Sequence, residues 1–286
     1  MSVEVTNPRS DRVRSVRALA QASARSRRDQ FLVEGPQGVR EAVRFAADQV
    51  RDVYLTAEAA ARHPEIEDTA RAAGLYVHPT APEALSAMSE DAQGVLAVLQ
   101  RRKVSVTAAL AGEPRLVALL HQVRDPGNAG TVIRAADAAG ADGCILSHGS
   151  VDVHNPKVVR STVGSLFHLP TATGADLAET IATARAAGLQ VLAADGAGSL
   201  DLDDVADSAD SADSAVDTEA TTAVTLARPT LWLFGNEAHG LGEAERDLAD
   251  AVVRIPIHGH AESLNLAMAA TICLYTSARA QRRAHR

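Results

Sequence analysis

Leu116-Val117-Ala118-Leu119-Leu120 is an unbroken apolar run, and after four intervening residues the chain reads Asp125-Pro126-Gly127-Asn128-Ala129-Gly130-Thr131-Val132-Ile133-Arg134. A strand that is apolar on both faces belongs in a parallel sheet covered on both sides. The turn residues then give way to helical spacing, with Val132, Ile133, Ala136 and Ala139 toward a core. Cys144-Ile145-Leu146 begins a second such unit, with a helix over residues 157–167. Further strands are expected at 189–193, 230–234 and 251–255, and a long helix over 263–283 closes the chain with arginines in its last turn. Strand–helix alternation predicts an α/β domain built on a parallel sheet. In such sheets ligands bind outside the carboxyl ends of the strands.

Working upstream, residues 30–105 form a smaller alternating unit. Strands are expected at 31–35, 50–55, 75–77 and 94–99, with helices over 38–48, 57–74 and 82–88. Residues 1–29 read as a basic helical arm, with Val13, Val16 and Ala20 near helical spacing among arginines. Residues 106–114 read as a linker between this unit and a second domain over 115–286. Residues 197–228 interrupt that second domain. Ala-Asp-Ser repeats three times from Ala206 to Ser214, a period that fits neither helix nor strand, so the insertion is expected to be a disordered acidic loop.

That insertion governs the charge. The chain carries a net charge of −8, and residues 197–219 hold eight acids and no Lys or Arg. The remaining chain is balanced, with arginines gathered at 9, 12, 14, 17, 25, 27 and 28 and at 279, 282, 283 and 286. An acidic total therefore leaves a nucleic-acid partner open, because binding depends on local patches. On composition alone, solvated helix faces account for both arginine groups. The N-terminus lacks an apolar signal core, and no apolar run is long enough to span a bilayer. A cytoplasmic protein with Cys144 and Cys273 as buried free thiols is expected.

Three polar turns at strand ends are candidates for one shared site. In the first, Asn128 can cap its helix, whose N-terminus favours an anion, and Arg134 lies about two turns further on. A salt bridge on an Ala-rich helix is the structural alternative for Arg134. The second is Leu233-Phe234-Gly235-Asn236-Glu237, where Gly235 lets backbone approach closely and Glu237 places a carboxylate at the strand end, or simply in the first turn of a helix. The third is Ile255-Pro256-Ile257 followed by Glu262-Ser263-Leu264-Asn265-Leu266, in which Ser263 and Asn265 either hold substrate groups or cap and line the closing helix. His258 and His260 have no Cys or acidic partners at metal spacing, so no metal is expected and both read as solvent-facing. The glycines do not form G-x-G-x-x-G, which gives a dinucleotide site little support.

Together these segments, N-x-G-x-x-x-R, F-G-N-E and I-P-I with S-L-N, resemble the SpoU/TrmH branch of the SPOUT RNA ribose methyltransferases. Asp152, Asn155-Pro156-Lys157 and Arg160 resemble the family's segment after the second strand, and residues 30–105 look like its small RNA substrate-binding domain. The resemblance implies a C-terminal sheet with a trefoil knot, S-adenosyl-L-methionine as cofactor, a homodimer and an RNA substrate. It implies cofactor contacts at Gly235, Ile255 and Leu264, and a catalytic set of Arg134, Asn128, Glu237, Ser263 and Asn265. The implied activity is methylation of a ribose 2′-hydroxyl in RNA, with ribosomal RNA favoured. A transfer-RNA methyltransferase, or a non-catalytic RNA-binding or ribosome-assembly protein of the same fold, is the alternative.

Overall fold

The structure, a computed structural model, describes residues 4–210 and 224–284. It forms two compact units, Met1–Lys103 with Asp152–His168, and Val104–Val151 with Leu169–Arg286.

The first unit is a four-stranded sheet of β1 (Gln30–Glu34), β2 (Val50–Leu55), β3 (Tyr76–Pro79) and β4 (Val95–Gln100), in the order β1-β4-β2-β3. β4 runs antiparallel to β1 and β2, and β2 is parallel to β3. Side chains alternate across the sheet, so β1 sends Phe31 and Val33 to one core and Leu32 to the other. Helices Pro36–Phe45 and Pro64–Ala72 cover the first face, burying Val39, Val43 and Ile66. The second face is covered by helix Pro82–Met88 and by helix Asp11–Arg17 with the turn that follows it, through Val13, Val16 and Leu19.

Much of the expected arm is therefore packed structure. Its apolar positions lie at three-residue spacing, which gives residues 13–19 a face to bury. Arg25 corrects the reading of the arginines as solvated: it is 1% exposed, and its Nε and Nη2 donate to Asp152 Oδ2 at 2.9 and 2.8 Å. Its Nη1 donates to the carbonyls of Leu19 and Ala20. Asp152 belongs to a segment expected in the second domain, yet residues 152–168 pack with the first unit. Val159 joins the core around Phe31 and Val33, and Arg160 pairs with Glu34. The expected linker over 106–114 also differs, since it contains helix Val106–Ala109 and buries Ala109 and Leu110 in the second unit's core.

The second unit holds β5 (Leu116–Leu120), β6 (Gly143–Ser147), β7 (Thr171–Ala175), β8 (Gln190–Ala194), β9 (Leu200–Asp201), β10 (Thr230–Phe234) and β11 (Ala251–Arg254). The sheet order is β7-β6-β5-β10-β8-β11-β9, and every pairing is parallel. β5, β6 and β10 are fully buried, as their apolar runs require. Helices Pro126–Ala139 and Leu266–Arg283 pack together and flank the sheet. Trp232 Nε1 donates to Ser277 Oγ at 2.9 Å, which satisfies a polar group in that core. Cys144 and Cys273 are buried free thiols, and burial pushes both pKa values up, to about 12 for Cys144.

The acidic insertion is corrected at its end, where Leu226 is buried and Thr225 O accepts from Gln190 Nε2 at 2.6 Å, and at its start. β9 pairs with β11, and residues Leu202–Asp210 form a helix whose Leu202 is 1% exposed. Leu202 and Val205, three residues apart, give that acidic helix one apolar face. Residues 211–223 of the expected loop lie outside the described residues.

Candidate active site

Four strand ends meet at one level. Phe234 of β10 pairs with Leu120 of β5 and with Ala194 of β8, and Ala194 pairs with Val253 of β11. The turns leaving these strands therefore converge. Between them lies a pocket of ≈ 460 Å³. Asn128, Gly235, Glu237, Ile255, Ser263, Leu264 and Asn265 all line it. Arg134 does not: it is exposed on helix Pro126–Ala139 and away from the pocket lining.

Both helix starts at the pocket differ by a few residues from the expected caps. Pro126 occupies the first turn, so the cap falls to Asp125, whose Oδ1 accepts from Asn128 N at 2.7 Å. Asn128 is thereby freed to use its side chain elsewhere. At the closing helix Asn265, not Ser263, is the cap, its Oδ1 accepting from Ala267 N at 2.9 Å and Met268 N at 3.4 Å. Ser263 is exposed at the pocket wall.

These caps orient a chain of side chains. With Asn265 Oδ1 held by the helix start, its Nδ2 donates to Asn128 Oδ1 at 3.0 Å. Asn128 must then turn its own Nδ2 outward, and it donates to Glu237 Oε1 at 3.2 Å. Glu237 also accepts from Asp125 N at 3.3 Å and Arg124 N at 3.5 Å. One direction of hydrogen bonding thus runs from a helix cap to a carboxylate at the end of β10.

The turn carrying Glu237 is held on both sides. Asn236 and Gly240 exchange backbone hydrogen bonds at 2.8 and 3.2 Å, and Asn236 Nδ2 donates to Gln122 O at 2.8 Å. A Cβ on Gly235 would sit 2.7 Å from Leu241 N and closer still to the Gly240 carbonyl, so only glycine allows the turn to fold back. Asp195, which follows β8, accepts from Leu241 N at 3.2 Å and from Ala197 N at 2.9 Å. Sequence reading did not single out Asp195. Its signal was a carboxylate directly after the apolar run 191–194.

Val253, Ile255, Ile257, Leu264 and Leu266 give the pocket an apolar wall, and Asp195, Glu237 and Glu262 bring three carboxylates to its lining. That combination suits a ligand with an aromatic or aliphatic body and positive charge, as S-adenosylmethionine has through its sulfonium and amino groups. Among the described residues, no group of three or more His, Cys, Asp or Glu could hold a metal ion, and His258 and His260 are exposed.

Residues 115–275 match the SpoU rRNA Methylase family. The chain belongs to that family. One relative, the 23S rRNA (uridine(2479)-2′-O)-methyltransferase of Streptomyces viridochromogenes, is 32% identical over 273 residues, covering 91% of this chain and 86% of that protein. A second, the 23S rRNA (guanosine(2553)-2′-O)-methyltransferase RlmP of Bacillus subtilis, is 28% identical over 95% of this chain and 98% of that one. The SpoU methyltransferase AviRb from Streptomyces viridochromogenes, solved in complex with the cofactor AdoMet, is 32% identical and superposes with a TM-score of 0.79. That match covers 96% of this chain and the whole of the other. The family resemblance drawn from the three motifs is borne out, as is the α/β class with its parallel sheet.

Proposed function

We propose that this SpoU-family protein is an S-adenosylmethionine-dependent methyltransferase that methylates a ribose 2′-hydroxyl in ribosomal RNA. The observation that carries the reading is the Asn265–Asn128–Glu237 chain on the wall of a pocket built from four level strand ends. Bound S-adenosylmethionine supplies an electrophilic methyl group on a cationic sulfur. The backbone at Gly235, Ile255 and Leu264 would hold the cofactor's body against the apolar wall. Glu237, fixed by Asn128 and two backbone N–H groups, sets its carboxylate at the pocket edge. Its acceptor positions are oriented toward a ribose hydroxyl entering there.

Arg134 completes the proposed set. A guanidinium keeps its proton at any working pH, so Arg134 serves better as an electrostatic clamp on the developing alkoxide or a neighbouring phosphate than as a base. Within one chain it does not reach the pocket. Met268, Ile272 and Tyr275 lie along one face of the closing helix at 60%, 39% and 47% exposure, a run of large apolar side chains that suits burial against a second copy. The reading places a homodimer on that face and Arg134 at its edge. It also includes the family's trefoil knot, and it gives the first unit the work of selecting RNA.

The test is methyl incorporation from labelled S-adenosylmethionine into unmodified 23S, 16S and transfer RNA, with the product digested to nucleosides. Label recovered as a 2′-O-methylnucleoside from ribosomal RNA supports the reading. Label in transfer RNA alone, or on a base, overturns it.

A further inference from the structure

A second pocket, of ≈ 450 Å³, lies across the 236–240 turn from the first and shares Asn236, Glu237 and Gly240 with it. Its distinctive pair is His121, which directly follows β5, and Glu245, on the short helix Glu243–Asp247. His121 Nε2 and Glu245 Oε1 are 3.9 Å apart, too far for a hydrogen bond. The imidazole is 12% exposed and the carboxylate side chain 32%.

The protonation of His121 follows from its neighbours. Ser147 Oγ accepts from Gln122 N at 3.0 Å and donates its one proton to His148 O at 3.1 Å. At 3.2 Å from the same hydroxyl, His121 Nδ1 satisfies all three contacts in the tautomer where it is the donor. Nε2 is left with a lone pair directed to the pocket. Burial lowers the His121 pKa against the opposing pull of Glu245, a shift that favours the neutral ring. Glu245 folds back over Gly242, where the missing side chain leaves room for its carboxylate beside the pocket.

Two acceptors thus converge on the pocket with no proton between them. The group that fits is one presenting several N–H bonds along a single edge. Guanine does so, with its ring N–H beside its exocyclic amine. Adenine and cytosine set their amines beside a ring acceptor, and uracil flanks its one N–H with two carbonyls. RNA bases taken out of a stack are read along these same edges. Arg124, exposed at the pocket's lining, adds a positive charge suited to the nucleotide's phosphate. The relatives leave the choice of base open, one being named for uridine and another for guanosine.

We propose that this second pocket takes the base of the target nucleotide and selects guanosine, with the amino-bearing edge set against His121 and Glu245. The inference rests on the methyltransferase reading of the adjoining pocket.

The test titrates full-length protein, saturated with S-adenosylhomocysteine, with guanosine and uridine monophosphates. Guanosine monophosphate should bind about tenfold tighter, in the range of one well-matched base contact. Glu245→Ala and His121→Phe should each bring the two nucleotides within about twofold, with thermal unfolding and S-adenosylhomocysteine affinity unchanged. Equal affinities, a preference for uridine, no binding by either nucleotide, or a preference surviving both substitutions would overturn the proposal. Failure of the wild-type protein to bind S-adenosylhomocysteine would instead count against the methyltransferase reading, and the nucleotide comparison made without it would still decide the base.

Discussion

Asn265 donates its amide to the Asn128 carbonyl oxygen at 3.0 Å while its own carbonyl oxygen caps the closing helix. One side chain therefore does both a structural and a site-forming job, and the two can be separated. Asp is as good a cap as Asn, so Asn265→Asp should unfold within about 0.5 kcal/mol of wild type, the usual range for a substitution that breaks no such feature. It replaces the donor with an acceptor facing Asn128, which should turn Asn128 away from Glu237 and lower methyl transfer by at least about tenfold, the ~1.4 kcal/mol of one neutral hydrogen bond. Asn265→Ala should lose activity and also about 1 kcal/mol of stability. Chemical denaturation beside a methylation assay reads both, and an Asn265→Asp variant with wild-type turnover would show that the chain of amides does not matter.

Gly235 tests the turn that separates the two pockets. Alanine there meets Gly240 and Leu241 backbone rather than a side chain that could swing aside. Gly235→Ala should displace the 236–240 turn, weaken S-adenosylmethionine binding by more than about tenfold, and cost about 1–3 kcal/mol from overpacking. Calorimetry on the folded variant checks it. Unchanged cofactor affinity would mean the turn is not part of the cofactor pocket.

The sheet and the pocket were legible because both follow from local pattern. Leu116–Leu120 and Thr230–Phe234 are apolar enough that only a doubly covered strand suits them, and Gly235, Glu237, Ile255 and Asn265 follow strands whose ends could be read directly. Long-range choices were not legible. Nothing local to Asp152 says that it neutralises Arg25, 127 residues earlier in the chain. Helix caps shifted by two or three residues because Pro126 fixes a helix start and because Asn265 competes with Ser263 for the same role. The helix Leu202–Asp210 was hidden by its Ala-Asp-Ser repeat, since two apolar residues sufficed to dock it. β7 was missed because Thr171, Thr173 and Gly174 interrupt its apolar character, as an edge position allows.

Arg134 should separate fold from function. It is exposed, so Arg134→Ala and Arg134→Lys should leave the melting temperature and S-adenosylmethionine affinity near wild type. Both should abolish or severely reduce methyl transfer, because lysine keeps the charge without the planar fork. Near-normal turnover in Arg134→Lys would leave simple positive charge as sufficient.

The Arg25–Asp152 pair predicts a pH-dependent stability. Burial tends to raise the Asp152 pKa, but hydrogen bonds from His154 and Arg25 outweigh it and hold the carboxyl well below its usual range. A depressed carboxylate pKa contributes stability above the unfolded value of about 3.9, and that stability is lost as pH falls through the folded value. Asp152→Asn leaves the buried guanidinium without its counter-charge, at a cost of about 3 kcal/mol at pH 7. The gap between wild type and variant should narrow progressively below about pH 4. A gap constant from pH 7 to pH 3 would mean the stabilisation is not electrostatic.

RNA selection by the first unit is best tested without truncation. Removing residues 1–105 would strip Arg25 from Asp152 and Phe31 and Val33 from Val159, so loss of binding could reflect a broken core. Arg17 and Arg27 are exposed and offer a cleaner probe. Each phosphate contact contributes about 0.7 to 0.9 to the slope of log affinity against log salt. If both arginines touch RNA, the double variant Arg17→Ala, Arg27→Ala should weaken binding at 50 mM salt and flatten that slope by about 1.5. Its S-adenosylmethionine affinity and melting temperature should stay at wild-type values, because neither residue belongs to a core or to the pocket. An unchanged salt slope would move the RNA-binding surface away from these two arginines.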